Sequence, residues 1–157
     1  MSRLGTAPPS SDTHDVINQP PPFSDVNLYT SDRALGAAVE REGGGWAAAS
    51  LVTYGGVMGS ARVYELGRQA NRYSPELRTH DRFGHRIDEV EYHPAWHEVM
   101  RIQLEPEVHN LPWRHRRPGA HVARLAKHYV LPQVDAGSAC PITMTFAPLP
   151  ALAPEPR

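Results

Sequence analysis

The chain has 157 residues, a formal net charge of −1, 40% hydrophobic and 21% charged content. That is enough length for one domain with a core, and near-neutrality excludes a global electrostatic pull toward nucleic acid or acidic lipid. A single cysteine, Cys140, excludes an intramolecular disulfide and points to a reducing compartment. The opening MSRLGTAPPSSDTHD has no apolar h-region, and no apolar run approaches the roughly 20 residues that span a bilayer. The chain is therefore expected to be soluble and cytoplasmic, with no membrane partner.

Residues 1–29 read as an extended arm. Pro8, Pro9 and Pro20–Pro22 deny it a regular period, while Phe23, Val26, Leu28 and Tyr29 give it apolar points with which to pack on a neighbour. The segment TSDRALGAAVEREGGG predicts a helix capped by Thr30 or Ser31, with Asp32 at the positive dipole end and Leu35, Ala38 and Val39 as its apolar stripe. Gly43–Gly45 end it, since glycine tolerates the left-handed position after a helix. Residues 46–58 predict a second helix, in which Gly55 and Gly56 weaken the helix and permit close packing. Ser60 caps a third, with Val63, Leu66, Gly67 and Ala70 on one face, and Ser74-Pro75 stops it.

THDRFGHRIDEVEY predicts a hairpin with Asp81 and Gly84 in its turn, and Val90 and Tyr92 alternating with Glu89 and Glu91. HPAWHEVMRIQLEP predicts a helix with His93 just outside it, Pro94 at its first position, Trp96, Val99, Met100 and Leu104 buried, and Pro106 beyond its end. HNLPWRHRRPG reads as a loop. Residues 119–136 predict a longer helix with Val122, Ala126, Tyr129, Val130 and Val134 inward, kinked or cut short at Pro132. CPITMTFA predicts a last helix with Pro141 at its first position, and residues 148–157 a proline-rich tail. The fold class is mainly α with one β-hairpin, and no internal repeat is visible.

Three constellations carry candidate chemistry. His93 and His97 have the i, i+4 spacing of helical zinc ligands. Pro94 stands where metalloproteases carry glutamate, so His93 reads as a helix cap, His97 as the border of a buried face, and no metal is expected. Cys140 at a helix start could be an activated thiol, but no base is placed beside it by the sequence, so no catalytic residue is assigned. Arg114, His115, Arg116 and Arg117 make a basic loop able to touch phosphate, as in nucleic acid or coenzyme A. In a neutral chain one short patch is weak support for that, and a solvated loop or a contact with another subunit is the default reading.

The series VINQPPPFSDVNLYTSDRAL, EREGGGW, LGRQAN, PELRTHDRFGHRIDEVEYHPAWHEVM and RPGAHVARLAKHYVLPQVDAGSACPITMTFA resembles the AidB branch of the acyl-CoA dehydrogenase family, flavoproteins linked to the adaptive response to DNA alkylation. The resemblance runs from about His14 to Ala147. It implies the family's N-terminal helical domain over residues 30–147, preceded by the arm and followed by a truncated tail. The family acts by α-proton abstraction from an acyl-CoA thioester by a glutamate, with hydride transfer to FAD. Neither its flavin-contacting motif nor its catalytic-base segment is found in this sequence. FAD is therefore expected in the full-length family but not on this chain alone, which would be inactive by itself. The partners implied are a β-domain and a C-terminal helical domain, other subunits of a homo-oligomer, and DNA only through the C-terminal region that this sequence does not carry.

By the same resemblance, the helix CPITMTFA lines the acyl pocket, making Thr143, Met144, Thr145 and Phe146 pocket-wall residues that shape a cavity without doing chemistry. A domain parted from its partners would expose the faces that dock on them, so a marginally stable, association-prone product is expected, such as a truncated reading frame would yield. The alternative reading is a stand-alone interaction module that binds a full-length relative or nucleic acid through the arm and the Arg114–Arg117 loop.

Overall fold

Asp32 starts the first helix. In the computed structural model, which describes residue 13 and residues 17–152, α1 spans Arg33–Arg41 and the Asp32 carboxylate accepts the Leu35 N–H at 2.8 Å. The expected caps, Thr30 and Ser31, are spent one turn earlier. Thr30 N–H donates to the Asn27 side chain and Ser31 N–H to the Asn27 carbonyl. The glycine run ends α1 as expected. Gly43 sits at φ +78° and donates to Glu40 O, while Gly44 donates to Val39 O at 2.8 Å, the paired bonds of a Schellman motif.

A 3-10 turn, Gly45–Ala47, leads into α2, Ala48–Met58. Here the arm finds its neighbour within the same chain. Leu28 N–H donates to Gly55 O at 3.1 Å, Val26 N–H to Gly59 O at 3.3 Å, and Asn27 Nδ2 to Val52 O at 2.8 Å. Leu28 and Tyr29 are buried by this docking, whereas Phe23 stays 62% exposed. The arm's first residues, with Pro8 and Pro9, and the tail's last five, with Pro154 and Pro156, lie outside the described residues.

Ser60 caps α3, Ala61–Arg72, through the Val63 N–H. The hairpin follows as β1, Glu76–His80, and β2, Arg86–Glu91, antiparallel with Leu77 opposite Val90. Asp81 organises its turn by accepting the Phe83 and His85 N–H groups, and Gly84 takes φ +87°. The hairpin is little covered by the helices: every residue of β1 and β2 is exposed except Ile87, which is half-buried.

α4 spans Pro94–Leu104, with His93 Nδ1 accepting the Ala95 N–H at 3.2 Å. Its buried face is Ala95, Val99, Ile102 and Gln103, so the expected stripe holds in part: Val99 is buried and Met100 packs half-buried on the core, whereas Trp96 is half-buried and Leu104 is exposed. The phase is set by Gln103, fully buried because its Nε2 donates to Ser138 Oγ at 2.7 Å. The expected loop contains a helical turn, α5, Leu111–Arg114, with Leu111 and Pro112 buried.

α6 spans Ala120–Val130 and gives way at Pro132 to a 3-10 turn, Leu131–Gln133, the early end that proline demands. Tyr129, expected inward, is exposed, and Arg124 and Lys127 are buried instead. Carbonyls of the chain after α4 receive both cations: Arg124 Nε donates to Val108 O at 3.0 Å and Lys127 Nζ to Pro106 O at 2.9 Å, while Arg124 Nη2 is buried without a hydrogen-bond partner. Burial without a carboxylate on either head pushes both pKa values down.

α7 spans Ala139–Phe146, two residues ahead of expectation, so Pro141 is its third residue. The Asp135 carboxylate accepts the Gly137 and Ser138 N–H groups and lets the helix begin early. A last turn, α8, spans Leu149–Leu152 within the expected tail.

The core has two parts. One gathers Leu28, Tyr54, Met58, Val63, Ile102, Val130, Leu131 and Ile142; the other gathers Tyr29, Val39, Leu51, Leu111, Ala120, Ala123 and Ala126. α6 belongs to both, its alanines letting α1 and α2 close on it while Val130 reaches the first cluster. Among the described residues no helix is long and apolar enough to cross a membrane.

Candidate functional site

α7 is held so that only Ile142 points wholly inward. Thr143 is exposed, and its Oγ1 lies 2.8 Å from His128 Nε2. Met144 is 63% exposed. Thr145 is exposed and turns its hydroxyl back to Pro141 O at 2.9 Å. Phe146 is half-buried at the helix end, where its ring stacks on Trp113 at 5.1 Å and the Arg124 guanidinium carbon lies 3.7 Å from its centroid. Trp113 Nε1 donates to Phe146 O at 3.1 Å. The four sequence-predicted residues therefore divide: Thr143 and Met144 look outward, Thr145 bonds back to its own helix, and Phe146 pins α7 to α5 and α6.

The outward pair continues on α6. Leu125 and Tyr129 are exposed beside His128. Together with Leu35, Ala38 and Val122 they line a groove of about 450 Å³ between α1 and α6. His128 is pushed below its ordinary pKa, first by burial and then by the charge of Arg124, against a hydrogen bond with the Ala139 backbone. The imidazole faces a threonine hydroxyl and shapes a groove whose lining is apolar apart from Glu42 and His128 itself. This α6 face was missed because Tyr129 was read as inward. Leu125, His128 and Tyr129 fall at i, i+3, i+4, on the face opposite Ala120, Ala123 and Lys127, and that spacing is the signal that finds it.

The other candidates resolve into structure. His93 caps α4 and stacks on Tyr73 at 4.6 Å, and His97 meets the Trp96 ring edge-on at 5.2 Å. His85 pairs with Asp81 in the hairpin turn, which holds the Asp81 carboxyl below its usual range. Among the described residues no group of three His, Cys, Asp or Glu side chains is placed to hold a metal. In the basic segment, Glu107 pairs with both Arg114 at 2.8 Å and His115 at 2.6 Å, and Arg117 lies 4.2 Å over the Trp46 ring. Cys140 is an exposed free thiol, and among the described residues no base hydrogen-bonds to it.

With this geometry in place, similarity to known proteins becomes informative. Residues 18–157 match the family described as the adaptive response protein AidB N-terminal domain. AidB of Escherichia coli (strain K12), itself a candidate acyl-CoA dehydrogenase, is 51% identical over 141 residues, covering 89% of this chain and 26% of its own length. The chain thus spans about a quarter of this curated relative. Among solved structures, Caenorhabditis elegans ACDH-11 in complex with C11-CoA superposes with a TM-score of 0.70 at 23% identity, over 86% of this chain and 24% of that one. At that identity the likeness carries the fold alone.

Proposed function

Because this chain belongs to the family of AidB N-terminal domains, we propose that it serves as the N-terminal domain of an AidB-like acyl-CoA dehydrogenase. In this reading residues 1–29 are the arm, residues 30–147 the helical domain and residues 148–157 the tail. The observation that carries it is the uncovered apolar face of α6 and α7, where Leu125, Tyr129 and Met144 stand exposed around the His128–Thr143 pair. Assigning that face to the acyl side of the substrate rests on the family resemblance of the α7 segment. Thr143 and Met144 then form the wall, and Thr145 and Phe146 keep α7 in place behind it. The activity is acyl-CoA α,β-dehydrogenation in the alkylation-damage response, carried out by an assembly with the family's β-domain, its C-terminal helical domain and further subunits.

The residues in hand do not fit a flavin by themselves. The glycine run that could cradle phosphate is consumed in closing α1, and Arg114 and Arg117 are engaged by Glu107 and Trp46. No chemical step is therefore assigned to this chain, whose part is to shape the cavity and exclude water from it. Flavin absorbance tests the reading. The purified chain, mixed with excess FAD and desalted, should retain no stoichiometric flavin. Retained flavin that bleaches on adding an acyl-CoA would overturn it.

A further inference from the structure

A second cleft shares no residue with the α6–α7 face. It lies where the end of α3 and the start of α4 meet the turn before α7, and it is lined by Tyr73, Tyr92, His93 and Trp96 around Asp135. Its volume is about 170 Å³, room for roughly half a dozen waters at about 30 Å³ each. That is too little for a nucleotide and suited to a compact headgroup.

Two features define its chemistry. Its aromatic rings come as two stacks, Tyr92 on Trp96 at 4.1 Å and Tyr73 on His93 at 4.6 Å. Stacking uses one face of each ring; Arg72 lies over Tyr73, so it is Tyr92 and Trp96 that offer a negative quadrupole to a further cation. The second feature is Asp135, only 3% exposed. Its carboxylate accepts from Asn71 Nδ2 at 2.8 Å, Gly137 N at 3.2 Å and Ser138 N at 3.1 Å, all neutral donors. Among the described residues it has no ion-pair partner. A buried carboxylate with no countercharge is costly to keep, and one that lines an aromatic cleft is a recognition element for positive charge. Arg72 lies 5.8 Å from the Tyr73 centroid, so these rings already attract a cation at the rim, but Arg72 makes no ion pair with Asp135. The cleft lacks the ligand set for a metal ion.

We infer that this cleft binds an alkylammonium headgroup, seated against the rings of Trp96 and Tyr92 with Asp135 as its counter-ion. The headgroup can belong to a free small molecule or to a methylated lysine side chain.

The test titrates the full chain with choline, with its neutral carbon isostere 3,3-dimethylbutan-1-ol, and with a short peptide carrying trimethyllysine or lysine. The Trp96 indole N–H resonance, assigned by its loss in W96F, is followed by NMR. Saturable movement of that resonance is expected with choline, and at least about tenfold weaker binding of the neutral isostere. A trimethyllysine peptide that binds better than choline identifies a protein side chain as the source; equal affinity identifies a free headgroup. D135N and W96F should each weaken choline binding. W96F keeps an aromatic ring at that position if D135N fails to fold, and its binding is then followed by calorimetry. Equal binding of choline and its isostere, an unmoved Trp96 resonance, or a W96F variant that binds choline as the parent does would overturn the inference.

Discussion

Gly55 and Gly56 are neighbours in α2 with different surroundings. A Cβ on Gly55 would lie 2.7 Å from both the Tyr29 nitrogen and the Tyr29 Cβ, and 2.5 Å from Asn27 Oδ1. On Gly56 it would meet only Asn27 Nδ2, at 3.3 Å. Both alanines would gain helix propensity, about 1 kcal/mol in an interior position. For G56A little opposes that gain, so urea unfolding should give a neutral or slightly more stable protein. For G55A the backbone of the arm must retreat, which breaks the Leu28–Gly55 bond and loosens two buried side chains. A net loss of about 1–3 kcal/mol is expected. Equal midpoints for the two variants would mean that the arm is not seated on α2. The sequence carried half of this: a glycine pair inside a helix signals close approach. Which glycine is approached, and by what, depends on the helix's rotation relative to residues 26–29, and no local pattern contains that.

At the scale of elements, local chemistry made most of the fold legible. The Ser60 cap, the Gly43 terminus, the Asp81–Gly84 turn, the proline start of α4 and the break at Pro132 each lie within a few residues of their cause. What escaped was helix phase. α4 and α6 bury Gln103, Arg124 and Lys127, and a reading that sorts residues by polarity puts them outside. They are inside because Ser138 and the carbonyls of Val108 and Pro106 receive them, partners 16 to 35 residues away in sequence. The outward face of α6 was lost by the same error, since turning Tyr129 inward hides Leu125 and His128.

Two predictions belong at this scale. Glu98 of α4 accepts from Arg101 on its own helix and from Arg62 on α3, and these bonds hold its carboxyl at about 2 against an ordinary 4.5. Between those values the unfolded chain takes up a proton that the folded chain refuses, so the contribution to stability is complete above about pH 4.5 and lost as pH falls toward 2. The stability gap between the parent and E98Q should follow that course, and a gap independent of pH would dissociate Glu98 from the α3–α4 tie. The hairpin supplies the other. An isolated two-stranded ribbon is marginal in water, and β1–β2 is little covered by the helices. Amides of residues 76–91 should exchange with solvent well before those of α2 and α6, and protection equal to the helices would show that the ribbon has support of its own.

For the whole molecule, the question is what an N-terminal domain does with a face shaped for something else. Leu125, Tyr129 and Met144 are each more than half exposed, and they cluster on two adjacent helices, which is where apolar exposure matters most for association. The hairpin offers a competing patch, Leu77, Val90 and Phe83, all exposed. The two surfaces make separable demands. If the helical face is the docking surface, sedimentation velocity should show mean mass rising with concentration, and the double variant L125S/M144S should return the chain toward monomer. Its melting free energy should stay within about 0.5 kcal/mol of the parent, because neither side chain belongs to the core. L77S/V90S should leave the association in place. The reverse pattern, with association abolished by the hairpin pair and untouched by the helical pair, would move the docking surface to the ribbon and remove the observation on which the pocket-wall assignment of Thr143 and Met144 rests.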